Sequence, residues 1–271
     1  MTNNPLSPQE LGGHIADGTS FHFIGGTHFD LPQICGIQIT KFMVIELLAA
    51  VLMILLFVPL ARKIKTGEPV RGRLSNLLEV FLLFFRDQVV RPSIGHGADK
   101  FLPIIWTTFF FVLFMNLFGM IPCGGSPTAS LSVTGTMAVI AFTTLVGYGS
   151  YKLGPVNFWL KQVPHMDVPF AIGIVLKPML FVIEIFGLLV KHFVLAIRLF
   201  ANMFAGHLVL AVFMAFVGAT ATYWGLWVIV SFPSLLVVIA IDFLEIFVAF
   251  LQAYIFTFLM SLFIGMASHP H

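Results

Sequence analysis

Apolar residues fall along this chain in long unbroken blocks, with the polar positions bunched between them. The first block, "KFMVIELLAAVLMILLFVPLA", has the roughly 20 residues that a helix needs to cross a bilayer. Such a run must be helical, because hydrocarbon offers its backbone N–H and C=O groups no water. Arg62, Lys63, Lys65, Arg71 and Arg73 follow it. By the positive-inside rule that loop is cytoplasmic or its equivalent, and the N-terminus is outside. The next block, "LSNLLEVFLLFFRDQVV", residues 74 to 90, is short and carries Glu79, Arg86 and Asp87. It predicts a helix lying at the interface. After Lys100, "FLPIIWTTFFFVLFMNLFGMIP" predicts a second span going outward, into the uncharged loop "CGGSPTAS". A third span over roughly 131 to 150 returns toward Lys152 and Lys161.

The last hundred residues form two longer blocks, 170 to 217 and 224 to 266. Forty helical residues reach about 60 Å, twice the hydrocarbon thickness of about 30 Å. Neither block has a turn signal at its midpoint. Pro178 lies near the start of the first, and Pro233 suits a kink in the second. The break falls between them, at "GATATYWG". The pattern thus predicts an all-α integral membrane protein. It has about five transmembrane helices, an interfacial helix and a C-terminal hairpin of two long tilted helices. Residues 1–40 read as an irregular aqueous segment, 41–266 as one membrane domain and 267–271 as a tail. No internal repeat or low-complexity segment is seen.

Composition agrees with this reading. The 271 residues are 59% hydrophobic with 31 phenylalanines, and only 10% are charged. A soluble domain carries about 25% charged residues. A net charge of +2 gives no reason to expect nucleic acid. The N-terminal segment lacks a basic stretch followed by an apolar core, so no cleavable signal peptide is expected. His14, His22 and His28 match no metal-ligand spacing. Cys35 and Cys123 read as free thiols, although both fall on the expected outer side, where a disulfide is open to them.

Charges inside the hairpin change the picture from architecture to chemistry. They are Lys177, Glu184, Lys191, Arg198, Asp242 and Glu245, joined by His192 and His207. Glu184, Lys191 and Arg198 are spaced by seven, so they share one helical stripe with a drift of about 20° per step. Asn202, Ala201 and Ala205 lie on the same side, and small residues let another helix come close. His207, nine positions past Arg198, points the other way, toward the second helix, where Glu245 and Gln252 share a face. Imidazole and a desolvated carboxylate make a proton relay.

Each residue also has a plainer role open to it. Arg198 suits a structural ion pair with Glu184, Asp242 or Glu245, and His207 with Glu245 suits simple packing. Gln252, Asn202 and Asn116 suit helix–helix hydrogen bonds or a cap. Glu46 reads as interfacial, and Lys177 and Lys191 can snorkel to headgroups. There is no phosphate-binding glycine loop, metal-spaced set or nucleophile elbow, so no cofactor or metal is expected. Any nucleotide chemistry belongs to other chains.

At "AIRLFANMFAGH" the chain resembles subunit a of the F-type ATP synthase membrane sector. "LEIFVAFLQAYIFTFLMSLF" is similar to that family's last helix, "FLPIIWTTFFFVLFMNLFGMIP" to its second span and "NLLEVFLLFFRDQVV" to its interfacial helix. The resemblance covers roughly residues 40 to 266. It implies a stator subunit, not an enzyme on its own, that works against a ring of c subunits with b-type peripheral stalk subunits and the rest of the complex. The family's arginine falls on Arg198, facing the ring's carboxylates between two aqueous half-channels. Asn202 and Gln252 carry over with it, and Glu184 matches a carboxylate near the inner half-channel. Some members carry the acid on the first helix and the histidine on the second; here the order is His207 then Glu245. The implied outer path runs through His207, Glu245 and Asn116, while Lys191 and Asp242 match less closely. A bacterial inner membrane is expected, ahead of a mitochondrial one. The rival from the residues alone is a self-contained ion-coupled secondary transporter or channel, with Arg198 binding an anionic substrate. That predicts discontinuous helices and repeated halves.

Overall fold

The computed structural model describes residues 18, 20–22, 28–34, 37–66, 72–95, 97–121, 125–160, 170–221 and 223–268. Cys35, Cys123, His14, Lys161 and the tail from 269 lie outside the described residues. Seven helices carry most of the rest. They are α1 (Lys41–Thr66), α2 (Arg73–Phe84), α3 (Leu102–Gly119), α4 (Leu131–Leu153), α5 (Pro155–Leu160), α6 (Phe170–Thr220) and α7 (Trp224–Ser268). Five are long and apolar enough to cross a membrane: α1, α3, α4, α6 and α7. The chain is an all-α membrane protein, and the two long C-terminal blocks are each one helix.

Ahead of α1 the expectation of irregular structure needs adjusting. Two small antiparallel hairpins are present, β1 (Ser20–His22) with β2 (His28–Asp30), and β3 (Gln33–Ile34) with β4 (Ile37–Gln38). Two or three paired residues leave no run long enough for hydrophobic alternation to mark, so the sequence pattern misses them.

The chain divides into two compact units, which are described separately. One comprises the residues up to Lys65, Phe110–Thr134 and Arg198–Ala253. Its interior joins Met203 of α6 and Ala249 of α7, both with no exposed surface, to Ala129, with Leu117 packed against them. Phe57 of α1 meets Phe110 of α3 with ring centroids 4.6 Å apart. Gly119 faces Ser126 so closely that any Cβ there would overlap it. Much of the apolar surface stays uncovered, as lipid-facing helices require: Phe243 is 70% exposed and Phe247 66%.

The other unit comprises Thr66–Phe109, Gly135–Ile197 and the residues from Tyr254. Here α2 runs on through π-helical Phe85–Val90 into a last turn, Arg91–Ile94. Phe85 packs on Phe109 (4.2 Å) and Tyr254 (6.1 Å), and Trp106 donates its indole N–H to the Leu82 carbonyl. At its end Arg86 and Arg91 both hold Asp87, and Arg91 also holds Asp99. The hydrogen bond from Arg86, helped by its charge and that of Arg91, keeps the Asp87 carboxyl below its ordinary range. This surface link therefore persists at neutral pH and is lost as pH falls through that lowered value. A second apolar cluster joins Leu145, Phe158, Leu188 and Phe263, with Phe158 filling the space beside Gly149.

One contact in this unit leaves no slack. Gly265 of α7 lies directly against the Ser93 carbonyl at the end of α2. Gly265→Ala should therefore push the two backbones apart and destabilise the fold by about 1–3 kcal/mol. Thermal unfolding of the purified protein in detergent would read this as a lowered midpoint; an unchanged midpoint would contradict the contact.

Candidate functional site

In hydrocarbon the polar residues carry the information, because each must find a partner or serve a purpose. Arg198 is the middle residue of the apolar span Leu176–Thr220, and Glu245 the middle residue of Trp224–Met266. The candidate residues Arg198, Asn202, His207, Asn116, Asp242, Glu245 and Gln252 all belong to the first unit. Glu184 belongs to the second, half-buried on α6.

Helix periodicity places the α6 candidates on two faces. Arg198, Ala201, Asn202 and Ala205 are all exposed, while Met203 between them is buried. Arg198 has no ion-pair partner among the described residues. None of its expected in-chain partners, Glu184, Asp242 and Glu245, forms an ion pair with it. No described side chain pairs with this guanidinium, which stands at mid-span on an exposed face of small residues.

The other face carries His207. Its Nε2 stands 3.8 Å from Glu245 Oε1, with the side chains 16% and 4% exposed. That is too long for a direct hydrogen bond. His207 Nε2 and both Glu245 oxygens are buried without a hydrogen-bond partner. Gly206, beside the histidine, makes room for the carboxylate, because a Cβ there would lie 2.8 Å from Glu245 Oε1. That role was not read from the sequence, where the only signal is a glycine in mid-helix next to a polar residue.

Below this pair, two amides tie the helices together. Asn202 Nδ2 donates to Gln252 Oε1 at 3.0 Å, and Asn116 Nδ2 of α3 donates to the Ala249 carbonyl at 3.3 Å. These are the interhelical hydrogen bonds that the sequence left open for them. Both side chains also keep buried atoms in reserve: Asn116 Oδ1 and Gln252 Nε2 have no partner.

In the second unit His192, named from the sequence only as one of the hairpin's polar residues, sits in an apolar setting. It is 4% exposed, lies between Phe142 and Phe263, and donates Nδ1–H to the Leu188 carbonyl at 2.9 Å. Nothing in its spacing distinguished it from a surface histidine. Lys191 beside it is exposed, as a snorkelling lysine would be. No group of three or more metal-ligating side chains occurs among the described residues.

A family model described as ATP synthase A chain matches residues 43–265. The chain belongs to the ATP synthase A chain family. It is 37% identical over 262 residues to ATP synthase subunit a 2 of Chlorobaculum tepidum, covering 94% of this chain and 71% of that protein. Against ATP synthase subunit a of Chloroherpeton thalassium it is 36% identical over 261 residues, 94% of this chain and 75% of that one. With ATP synthase subunit a of a Methylobacterium species it shares 36% over 253 residues, 93% and 92% of the two chains. Bacterial relatives and five apolar spans identify it as a multi-pass protein of a bacterial inner membrane.

The Asn202–Gln252 bond has a measurable value within this family member. Asn202→Ala strands a carboxamide that is 1% exposed, at a cost of about 1–3 kcal/mol. Thermal unfolding of Asn202→Ala, Gln252→Ala and the double variant should be non-additive by about 1 kcal/mol. Strict additivity would show that the bond contributes nothing.

Proposed function

We propose that this chain is the stator subunit of the membrane sector of a rotary ATP synthase, coupling proton flow to rotation of a ring of c subunits. Nucleotide chemistry takes place on other subunits. The observation that carries the reading is Arg198: central in its span, exposed, and without an ion-pair partner among the described residues. Burying a guanidinium in hydrocarbon without a partner is costly, so its counter-charge comes from outside the chain. The small residues Ala201 and Ala205 beside it let a partner helix approach closely. A ring carboxylate supplies that charge and can also leave.

The mechanism follows from electrostatics. A proton enters from the outer side through His207 and Glu245, with Asn116 along the way, and neutralises a ring carboxylate. The neutral acid then turns into lipid, which a charged one cannot do. The 3.8 Å between His207 and Glu245 is a separation that one water or a small rotamer change bridges. After most of a turn the carboxyl reaches the inner half-channel, near Glu184, and ionises. Beside Arg198 the ionised form is favoured, and the fixed positive charge blocks a proton from crossing directly between the two half-channels. Asp242 adds negative charge next to the His207–Glu245 pair, and Asn202 with Gln252 holds the two helices in register at the arginine. Each charge carried through 100 mV is worth about 2.3 kcal/mol, so several per turn can drive synthesis elsewhere. The b-type stalk subunits hold this chain still while the ring moves.

In membrane vesicles containing the whole complex, Arg198→Ala should abolish proton pumping coupled to ATP hydrolysis, with the complex still assembled. Glu245→Gln should slow proton translocation about 100-fold or more, the scale of a lost acid–base group. Full coupling in the Arg198 variant would overturn the motor reading, and unchanged flux in the Glu245 variant would remove that residue from the path.

A further inference from the structure

The turn between the two long helices is both uncharged and uncovered. From Arg198 to Asp242 the chain holds no other Asp, Glu, Lys or Arg, and the break between α6 and α7 lies near the centre of that stretch. Every residue from Tyr223 to Ile229 is exposed, Trp224 by 80%, Ile229 by 69% and Tyr223 by 66%. Leu226, Trp227 and Val228 are exposed with them, so the first turns of α7 have no covered face.

Two of the four tryptophans of the chain stand in this turn. The other two are engaged within the protein. Trp106 donates its indole N–H to the Leu82 carbonyl, and Trp159 packs on Phe158 with ring centroids 5.2 Å apart. The side chains of Tyr223, Trp224 and Trp227 have no hydrogen-bond or ring partner among the described residues.

Neither simple surrounding suits such a turn. Open water would wet Leu226, Val228, Ile229 and three aromatic side chains with no charge beside them. Hydrocarbon would leave the indole N–H and phenol O–H groups unpaired. It would do the same to the first N–H groups of α7, which a helix cannot satisfy internally. The layer of lipid esters and headgroups offers apolar contact and hydrogen-bond acceptors together, and Tyr and Trp suit it for that reason.

We propose that Tyr223, Trp224 and Trp227 seat the tip of the hairpin in the ester and headgroup layer of the bilayer, so that lipid covers this turn. They take the place of the charges that mark the end of α1, where Lys63 and Lys65 stand in the last turn. The seat has a consequence for the site. Arg198 lies about 33 Å along its helix from Thr220, and Glu245 about 32 Å from Trp224. The ester layer begins about 15 Å from the mid-plane. With the tip in that layer and both residues at the mid-plane, the two helices lean roughly 60° from the membrane normal. Spans usually lean by about 0–40°, so a lean this large needs its end held. The lean rests on the proposed role of Arg198 at the mid-plane; the seat does not.

The test uses the assembled ATP synthase in native membranes. A benzophenone side chain, which on illumination inserts into the C–H bonds it touches, replaces Leu226, or Phe243 as a mid-span control. In a second set Gly225→Cys or Phe243→Cys supplies the only cysteine of the chain, on a Cys35→Ser, Cys123→Ser background. A Cβ added at Gly225 meets nothing within 4 Å. A membrane-impermeant maleimide is added from each side and the mass shift of this chain is read, since the thiolate that reacts forms in water and not in lipid. The seat predicts lipid adducts at 226 with labelling at 225 from one side only, and lipid adducts without labelling at 243. Adducts of 226 with another subunit would overturn it, because the tip would then dock on protein. So would the absence of adducts, which water gives, or lipid adducts without labelling at 225, which hydrocarbon gives.

A functional comparison checks the three side chains. Tyr223→Leu, Trp224→Leu and Trp227→Leu together keep the turn apolar but remove its polar atoms, and should lower ATP-driven proton pumping several-fold in a complex that still assembles. Trp224→Tyr with Trp227→Tyr keeps a polar atom on each and should cost far less. Equal pumping in the two sets would overturn the anchoring role. If Arg198→Ala keeps full coupling while lipid adducts and one-sided labelling appear, the seat stands and the lean falls with the motor reading. If Arg198→Ala abolishes coupling and 226 gives no lipid adduct, the seat fails alone.

Discussion

The structure turns on Arg198, which has no ion-pair partner among the described residues. A guanidinium stays protonated at any physiological pH, so Arg198 brings a positive charge to the middle of an apolar span. Within the first unit neither Asp242 nor Glu245 forms an ion pair with it. Glu245 faces His207 instead. A protein that supplied its own counter-ion here would hold a static ion pair. This one leaves the arginine on an exposed face with Ala201 and Ala205, which is what the proposed pairing with a partner that comes and goes requires.

The remaining polar groups follow from that arrangement. If the partner's carboxylate must be neutral on one side of Arg198 and ionised on the other, a proton donor has to stand close by without touching the arginine. The half-turn between Arg198 and His207 does this, setting the acid–base pair on the opposite face of the same helix. Gly206 gives Glu245 the space to sit there. The hydrogen bond from Asn202 Nδ2 to Gln252 Oε1 pins α6 to α7 one turn beyond Arg198. Length matters as well. Both helices, of 51 and 45 residues, exceed what a perpendicular crossing requires, so each has length to spare for an oblique one.

Most of this was legible in the sequence, for physical reasons. Hydrocarbon imposes a minimum run of apolar residues, so the five spans declare themselves by composition. The seven-residue spacing of Glu184, Lys191 and Arg198 and the nine-residue step to His207 are helical geometry written as numbers. What escaped is what rests on tertiary distance or on backbone. Asn116 was open to an interhelical bond, but its partner, the carbonyl of Ala249, has no sequence signal because every residue carries one. Gly206 matters through an absent side chain, and Gly265 through its contact with the Ser93 carbonyl. The π-helical turn at Phe85–Val90 and the short α5 have no periodic signature of their own. His192 looked ordinary until burial and a missing partner set it apart.

The central claim is that the counter-charge of Arg198 belongs to another subunit and passes it repeatedly. Disulfide trapping in the whole complex tests this most directly. Ala205→Cys lies on the Arg198 face, and a second cysteine is placed one turn from the ion-binding carboxylate of the c subunit. The account predicts rapid cross-linking to a single c subunit, loss of ATP-driven rotation, and recovery of both when reductant is added. No cross-link from Ala205→Cys, with ready cross-linking from Phe243→Cys on the lipid-facing side of α7, would contradict it.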